Sequence, residues 1–490
     1  MQNHHQNRKA RWVTRWVKSI AVPLTGFCSL AFAAASDPLA SSVDIAGVGN
    51  QTTSATTVAG EYITWREWII DSPEIAGFAL NGSDGLVVGD LDNDGREDIV
   101  SVHESDSEYD SSEFDPDYIP DSEGHVRIAF AGATPSDWVN VTLAEGADSP
   151  APEDADIADV NGDGFLDVIV AAELSHLIYL QNPGPDEARR GEAWERLILP
   201  MTKGNGSYIR VFFADLDGDN TPEVIAANKG AQRPGPSDLV RSTPVSIFSV
   251  TGHPLVADAW HETLLGRYSV PQNAQPVDLD ADGDLDIVVG IRGENRLAWF
   301  ENHSSLGQLS FIEHAIGIVG GTASGFNLEY ADLNNDGRTD IIGAVGIESL
   351  ASSLGWLEQP KDKDSAWIHH PIGSLAPDAI TGIVLTDIDG DGEVKASDAL
   401  GRLAWFENPG ATKIISSVWP RHDVSRRKRG MFDKFIAGDI DSDGDIDLLG
   451  TRGNSAPFDG VFWLEQQRAE EPSARFTPAR QNESPEMSLP

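Results

Sequence analysis

Aspartates at alternating positions recur seven times along this chain, and that spacing suits the chelation of a hard cation. The loops begin at Asp90 (DLDNDGRED), Asp159 (DVNGDGFLD), Asp215 (DLDGDNTPE), Asp278 (DLDADGDLD), Asp332 (DLNNDGRTD), Asp387 (DIDGDGEVK) and Asp439 (DIDSDGDID). Each puts oxygen side chains at positions 1, 3 and 5, and position 9 is Asp or Glu in six of the seven. Four oxygen-bearing side chains in nine residues, folded around a tight turn, make a cage. Calcium takes about six to eight oxygens in flexible geometry, whereas magnesium demands a stricter octahedron and keeps its waters. The expected ion is Ca²⁺. Metal-free turns rich in Asp and Asn are the competing reading. Against it, carboxylates packed on alternating residues repel one another unless a cation lies between them.

An EF-hand is the obvious rival. Its twelfth position requires a bidentate Glu, but position 12 is Ser101, Val170 and Ala226 in the first three loops. The exits (DIVSV, DVIVA, EVIAA, DIVVG, DIIGA, DLLGT) are short, β-branched and apolar, which predicts strands rather than a helix.

Two further motifs keep step with the loops. An aromatic followed by an apolar strand pattern precedes each one, at Trp65, Trp138, Trp194, Trp260, Phe311, Trp367 and Trp419. A third pattern follows each loop: VRIAF, LIYL, VSIF, LAWFEN, LGWLEQ, LAWFEN and VFWLEQ. Loop-to-loop periods of 69, 56, 63, 54, 55 and 52 residues suit four-stranded propeller blades with loop insertions. In each unit an apolar strand enters the Asp loop, a second leaves it, the aromatic strand is third and the Trp-led strand is outermost. The first complete motif is an outer strand at Trp65–Ile70 and the last is a third strand at Val461–Glu465. The N-terminal strand is therefore expected to complete the last blade and close the ring. The fold class is an all-β, seven-bladed β-propeller of four-stranded antiparallel blades, with calcium loops between strands 1 and 2.

On these motifs the chain resembles the FG-GAP/VCBS repeat family, whose repeats build the β-propeller of integrin α-subunits and of many secreted bacterial proteins. The resemblance covers roughly residues 61–467. It implies Ca²⁺ ligands in each loop: Asp90, Asp92, Asp94 and Asp98; Asp159, Asn161, Asp163 and Asp167; Asp215, Asp217, Asp219 and Glu223. It continues with Asp278, Asp280, Asp282 and Asp286, then Asp332, Asn334, Asp336 and Asp340, and finally Asp439, Asp441, Asp443 and Asp447. The sixth loop departs from the pattern. Asp387, Asp389 and Asp391 are present, but Lys395 stands at position 9, Glu393 is a possible substitute, and the exit strand looks shortened. Up to seven ions are implied. The third loop has Asn220 at position 6 in place of Gly, and Asn tolerates the left-handed conformation.

Residues 1–35 carry Arg8, Lys9, Arg11, Arg15 and Lys18 ahead of an apolar stretch and small residues, the pattern of a secretory signal. The apolar run falls short of the ~20 residues a membrane span needs. A secreted, periplasmic or cell-surface location is expected, with no membrane span in the mature chain. The lone cysteine, Cys28, lies in this segment, so disulfides cannot staple the rest. The whole chain has a net charge of −43. Such a surface repels nucleic acid and anionic membranes. Residues 36–60 are expected to be a flexible linker and 468–490 a disordered tail, leaving one ring over 61–467 and a monomer.

The 2–3 and 4–1 connections are expected on the face opposite the Asp loops, where a ligand would bind. Residues 104–123 hold nine acidic residues and no basic one; 228–243 carry Lys229, Arg233 and Arg241; Arg426 to Arg429 form a basic run. Solvated loops with weak ion pairs are the plainer expectation for these. His314, His370 and His422 recur at one outer-strand position, and Trp299, Trp356, Trp405 and Trp463 on third strands. Repetition argues for packing or hydrogen bonding between blades. No GxSxG, phosphate-binding Gly loop or HExxH appears. The expected function is an extracellular binding or adhesion module for a protein or polysaccharide. The alternative is a polysaccharide lyase, in which His103, His176, Tyr208 and Arg210 could neutralise a uronate and abstract its proton.

Overall fold

The structure is a computed structural model. It describes residues 48–480 except 49, 105–123, 175, 324, 346–351, 364, 377, 379, 391–394, 399–401, 416–417, 427–432 and 454–457. The expected signal segment, most of the acidic insertion, Arg427, Lys428, Arg429, Asp391 and Glu393 lie outside the described residues.

Short apolar strands cannot bury both faces alone, so they pair into sheets that stack on one another. The described strands gather into seven sheets, five of four strands and two of five. One runs Ser83–Gly89, Asp98–His103, His125–Ala131 and Trp138–Glu145, each antiparallel to the last. The fold is an all-β propeller of four-stranded antiparallel blades. Among the described residues the one α-helix is the short turn Pro73–Ala76, and no helix is long and apolar enough to cross a membrane.

The core is divided among the seams between sheets. One apolar cluster joins Val100, Ile128 and Leu143 of the first sheet to Val168 and Ile178 of the next. Similar clusters fill the following seams in order. A last one packs Leu449, Val461 and Trp463 against Leu86 and Ile99, which joins the end of the ring to its beginning. Second strands therefore face a neighbouring sheet on both sides. All six residues of Asp98–His103, Asp167–Ala172, Glu223–Asn228, Asp286–Ile291 and Asp447–Arg452 are buried. That burial explains why these exits read as unbroken apolar runs. The exit at Lys395–Asp398 has four residues rather than six, the shortening expected from its sequence.

Closure works as the sequence predicts. Tyr62–Asp71 pairs antiparallel with Gly460–Ala469, setting Trp68 opposite Trp463. The flanking segments depart from expectation. Residues 50–60 and 468–480 are packed together as a brace, not as linker and loose tail. Phe476–Thr477 adds a parallel strand outside Tyr62–Asp71. Thr53 N–H donates to Ser473 O (2.9 Å) and Arg475 N–H to Gln51 O (3.0 Å). The physical reason is the exposed edge of the closing strand, which would otherwise present unpaired backbone groups. Ala55 and Phe476 also complete the apolar seam there.

The recurrent histidines have one job. Each lies across from a third-strand tryptophan: Trp299–His314, Trp356–His370 and Trp405–His422, at centroid separations of 4.9, 4.5 and 4.1 Å. Each Nε2 also bonds a third-strand glutamate, Glu301, Glu358 or Glu407, at 2.6–2.9 Å. The bond runs within a blade, not between blades. In the closing sheet Trp68 replaces the histidine, stacking on Trp463 and donating Nε1–H to Glu465 (2.7 Å).

If the C-terminal brace completes the seam, Phe476→Ala should destabilise the protein by roughly 3 kcal/mol, the usual cost of emptying a buried phenylalanine site. Denaturant unfolding reads this directly; an unchanged midpoint would mean that the segment does not pack in solution.

Candidate metal centre

Each Asp loop folds on its own first carboxylate. Asp90 Oδ1 accepts from Asp94 N–H (3.0 Å) and Oδ2 from Gly95 N–H (2.8 Å). The same pair recurs at Asp159, Asp215, Asp332 and Asp439. Position 6 is left-handed in the six loops where it is described, including Asn220 at φ 69°. Position 4 is also left-handed: Asn93, Gly162, Gly218, Ala281, Asn335, Gly390 and Ser442 all have positive φ. Ala281 and Ser442 hold a conformation that costs an L-residue roughly 1–2 kcal/mol. Two left-handed residues flanking position 5 curl the loop, which gathers the carboxylates at positions 1, 3 and 5 in the loops at Asp90 and Asp278 and those at 1, 3 and 9 in the loops at Asp215 and Asp439.

Position 9 is different in kind. It is the first residue of the second strand and is buried in every described loop that has an acid there. One oxygen accepts the N–H of loop position 2: Leu91 to Asp98, Val160 to Asp167, Leu216 to Glu223, Leu279 to Asp286, Leu333 to Asp340 and Ile440 to Asp447. In five loops the other oxygen accepts an N–H from the end of the third strand: Ala131, Asn182, Asn302, Gln359 or Gln466, at 2.8–2.9 Å. Tyr179 O–H adds a third donor to Asp167 (2.7 Å). Burial raises these acids to about 6 at Asp98, Asp167 and Asp286, and to about 7 at Glu223, Asp340 and Asp447. A bound cation would favour their charged forms.

Four loops bring three carboxylates within 4.8 Å of one another: Asp90, Asp92 and Asp94; Asp215, Asp217 and Glu223; Asp278, Asp280 and Asp282; Asp439, Asp441 and Asp447. The loops at Asp159 and Asp332 carry Asn161 and Asn334 at position 3 and do not form such an acidic triplet. Asp387 and Asp389 are placed, but their loop is only partly described. Guanidinium groups already sit at some loops. Arg189 reaches Asp92 (2.6 Å) and Asp94 (3.2 Å), and Arg96 and Arg338 pair with Asp94 and Asp336. Arg189 comes from the 3–4 connection of the neighbouring sheet, which places that connection on the Asp-loop face.

The loops at Asp159, Asp215, Asp278 and Asp332 fall where a family profile described as "FG-GAP-like repeat" matches, at residues 159–226 and 278–343. The chain carries FG-GAP-like repeats. Each matched span runs from the first Asp of one loop through the strand after the next, so the two cover four loops. A search of curated proteins found no match. Among solved structures the chain is similar to the Cps50 (Swd1) β-propeller domain of Myceliophteria thermophila at 10% identity, over 81% of this chain and 99% of that one (TM-score 0.46). It is also similar to the biofilm matrix protein Bap1 of V. cholerae at 11% identity, over 84% and 91% (TM-score 0.39). A Bacillus licheniformis rhamnogalacturonan lyase matches at 12% identity, over 86% and 74% (TM-score 0.40).

The residues considered for lyase chemistry are not brought into one open pocket. His103 is buried between Ser83 Oγ (2.6 Å) and Ser101 Oγ (3.1 Å), and burial and Arg127 hold its pKa well below the ordinary value. His176 is buried in the next sheet and is lowered to about 4. Tyr208 is buried beside Asn228, and burial raises its pKa. Arg210 donates to Asn327 Oδ1 (3.0 Å). The basic segments also differ from solvated loops. Lys229 pairs with buried Glu173. Arg426 clasps Asp378 (2.8 and 2.9 Å), which Arg402 also contacts (2.9 Å), all three buried. Arg241, an exposed partner of Asp238, and Arg233, also exposed, fit the expected pattern.

Sequence reading missed the axis. The innermost strands begin at the end away from the Asp loops, and there Arg210, Asn273, Asn327, Glu329, Asp433 and Lys434 line a cavity of about 50 Å³. Burial raises Glu329 from 4.5 to about 7.

Two predictions follow from this geometry. Asp167→Asn turns an acceptor for three donors into a group that must present its own N–H to one of them. The expected cost is about 1–3 kcal/mol in chelator, while exposed Asp163→Asn should cost little there; equal effects would remove the clamp from the account. Glu329 binds more protons folded than unfolded, so its contribution to stability falls as pH rises from about 4.5 to about 7. Glu329→Gln should flatten that fall in a pH series of chelated protein and gain roughly 1–3 kcal/mol at pH 8.

Proposed function

We propose that this chain is a secreted, calcium-stabilised propeller of seven blades that acts as an extracellular binding module for a protein or glycan. The observation that carries the reading is the convergence of three carboxylates in each of four Asp loops. Carboxylates at such separations suit an oxygen-ligated divalent ion, and calcium tolerates the irregular geometry of nine-residue loops. Ligands would be supplied by positions 1, 3, 5 and 9, with Asn161 and Asn334 contributing carbonyl oxygens in their loops. The position 9 carboxylates already hold the loops to the sheet, so an ion would add to a preformed turn. The FG-GAP-like repeats support the same assignment. Secretion rests on the basic and then apolar N-terminal residues.

With one face given over to Asp loops and the 3–4 connections that lean on them, the opposite face is left for a partner. Its 2–3 connections differ in length and charge between blades, as recognition loops on a rigid scaffold do.

Thermal unfolding with calcium and then with chelator is the decisive experiment. Ligands that bind only the folded state stabilise it, by about 2.7 kcal/mol per site at a hundredfold excess over Kd. The midpoint should fall markedly in chelator and return with added calcium; indifference to both would sink the calcium reading. Repeating the scan over acidic polysaccharides and extracellular proteins then seeks the partner. A gain in ultraviolet absorbance from new double bonds would replace the binding module with a lyase.

A further inference from the structure

We propose that Asp84, Glu104 and Glu153 hold a hard divalent cation of calcium's size at the axial end opposite the Asp loops. Asp84 and Glu153 lie at the start of innermost strands, Ser83–Gly89 and Pro152–Ala158, and Glu104 follows the second strand of the first sheet. Each offers an oxygen, and the three oxygens lie within 4.8 Å of one another. Gly85 allows the two inner strands this approach: a Cβ there would lie 2.6 Å from Asp154 Cα.

The site is closed. Asp84 is 0% exposed, Glu153 7% and Glu104 8%. Neither Asp84 oxygen receives a hydrogen bond. The charges around it are other carboxylates, Glu153, Asp433 and Glu104, and together with burial they push its acid well above the ordinary value. The bases nearby bond elsewhere, although Lys229 and Arg210 offset part of the charge on Glu153 and Lys229 part of that on Glu104. Lys229 pairs with Glu173, Lys434 reaches Asp154 (3.4 Å), and Arg210 donates to Asn327. Asp84 has no such basic partner, and a buried charge without one costs several kcal/mol, so this carboxylate must hold either a proton or a cation. Three carboxylates and no route for a full water shell favour calcium over magnesium.

This site does not depend on the Asp loops, and its test separates the two. The full chain is stripped with chelator and dialysed against calcium at pH 7.5. Bound calcium is counted by mass spectrometry for the wild type, Asp84→Asn and the loop variant Asp278→Asn. Asp84→Asn should lose one equivalent. In chelator it should melt above the wild type, because a repelling charge is gone; in calcium it should melt below. Asp278→Asn should keep the axial ion and show no gain in chelator. Glu153→Gln repeats the test should Asp84→Asn not fold. An unchanged ion count, with Asp84→Asn the more stable protein in both conditions, would show that the group holds protons only and overturn the proposal. A wild type that binds a single equivalent, lost in Asp84→Asn and kept in Asp278→Asn, would refute calcium at the loops and support the axial site.

Discussion

In six of the seven blades the join between strands depends on one buried carboxylate at the ninth loop position. It sits where three strands meet: it begins the second, receives the N–H just past the first, and receives another at the end of the third. Water does not reach it, so those donors would be unsatisfied without it, and unsatisfied buried amides are costly. A short side chain at this point also fixes register, since a shift of one residue would turn it to the other face. The variations are informative. Glu223 reaches the loop N–H with its longer chain. Where Lys395 takes the position, the following strand is four residues long instead of six.

Seams between blades use a second recurrent device. Amides at the ends of third strands bond carbonyls in the preceding loop: Asn182 to Leu91 O, Asn302 to Leu216 O and Gln359 to Leu279 O, at 2.8–2.9 Å. Apolar seams hold the sheets together and amides hold the loops in line. The ring is not uniform in how it fills its blades. Four sheets use the stacked Trp with a neighbouring Glu, while the first three use aliphatic or tyrosine third strands, as in Tyr179 against Trp260. The stack brings a hydrogen-bonded glutamate to the Asp-loop side, as at Glu301, where Lys363 also pairs (2.6 Å).

Repeating features were legible in the sequence because repetition itself is a signal. Strand order within blades, the buried second strands and the pairing of Tyr62–Asp71 with Gly460–Ala469 all follow from motifs that recur or complement one another. The left-handed position 4 was hidden because Asn, Gly, Ala and Ser all occupy it. The brace was hidden because Phe476 is a single apolar residue in a polar stretch. Arg426 looked like part of a solvated basic run, and only the fold brings Asp378 to it. The axis was least legible. Each inner strand contributes a different polar residue, such as Asp84, Arg210, Asn273 and Asp433, so no period marks them. Closure of the ring alone makes them neighbours.

A propeller cannot fill its own axis with apolar side chains as a two-layer fold does. Its inner strands converge there, and their first residues meet across a narrow channel instead of a packed seam. Polar groups can occupy it only if their hydrogen bonds and charges balance. Arg210 with Asn327 and Lys434 with Asp154 achieve this across the channel, linking sheets that are not neighbours in the ring. Asp84 is left without a donor. Carboxylates thus crowd at both ends of the inner strands of the first two sheets, in the loops at one face and at the axis on the other. In a chain of net charge −43 these two concentrations add to the general repulsion that opposes compaction. Cations placed at either end would act on the strands that carry the ring, which would give the ion supply leverage over the whole fold and not only over its surface loops.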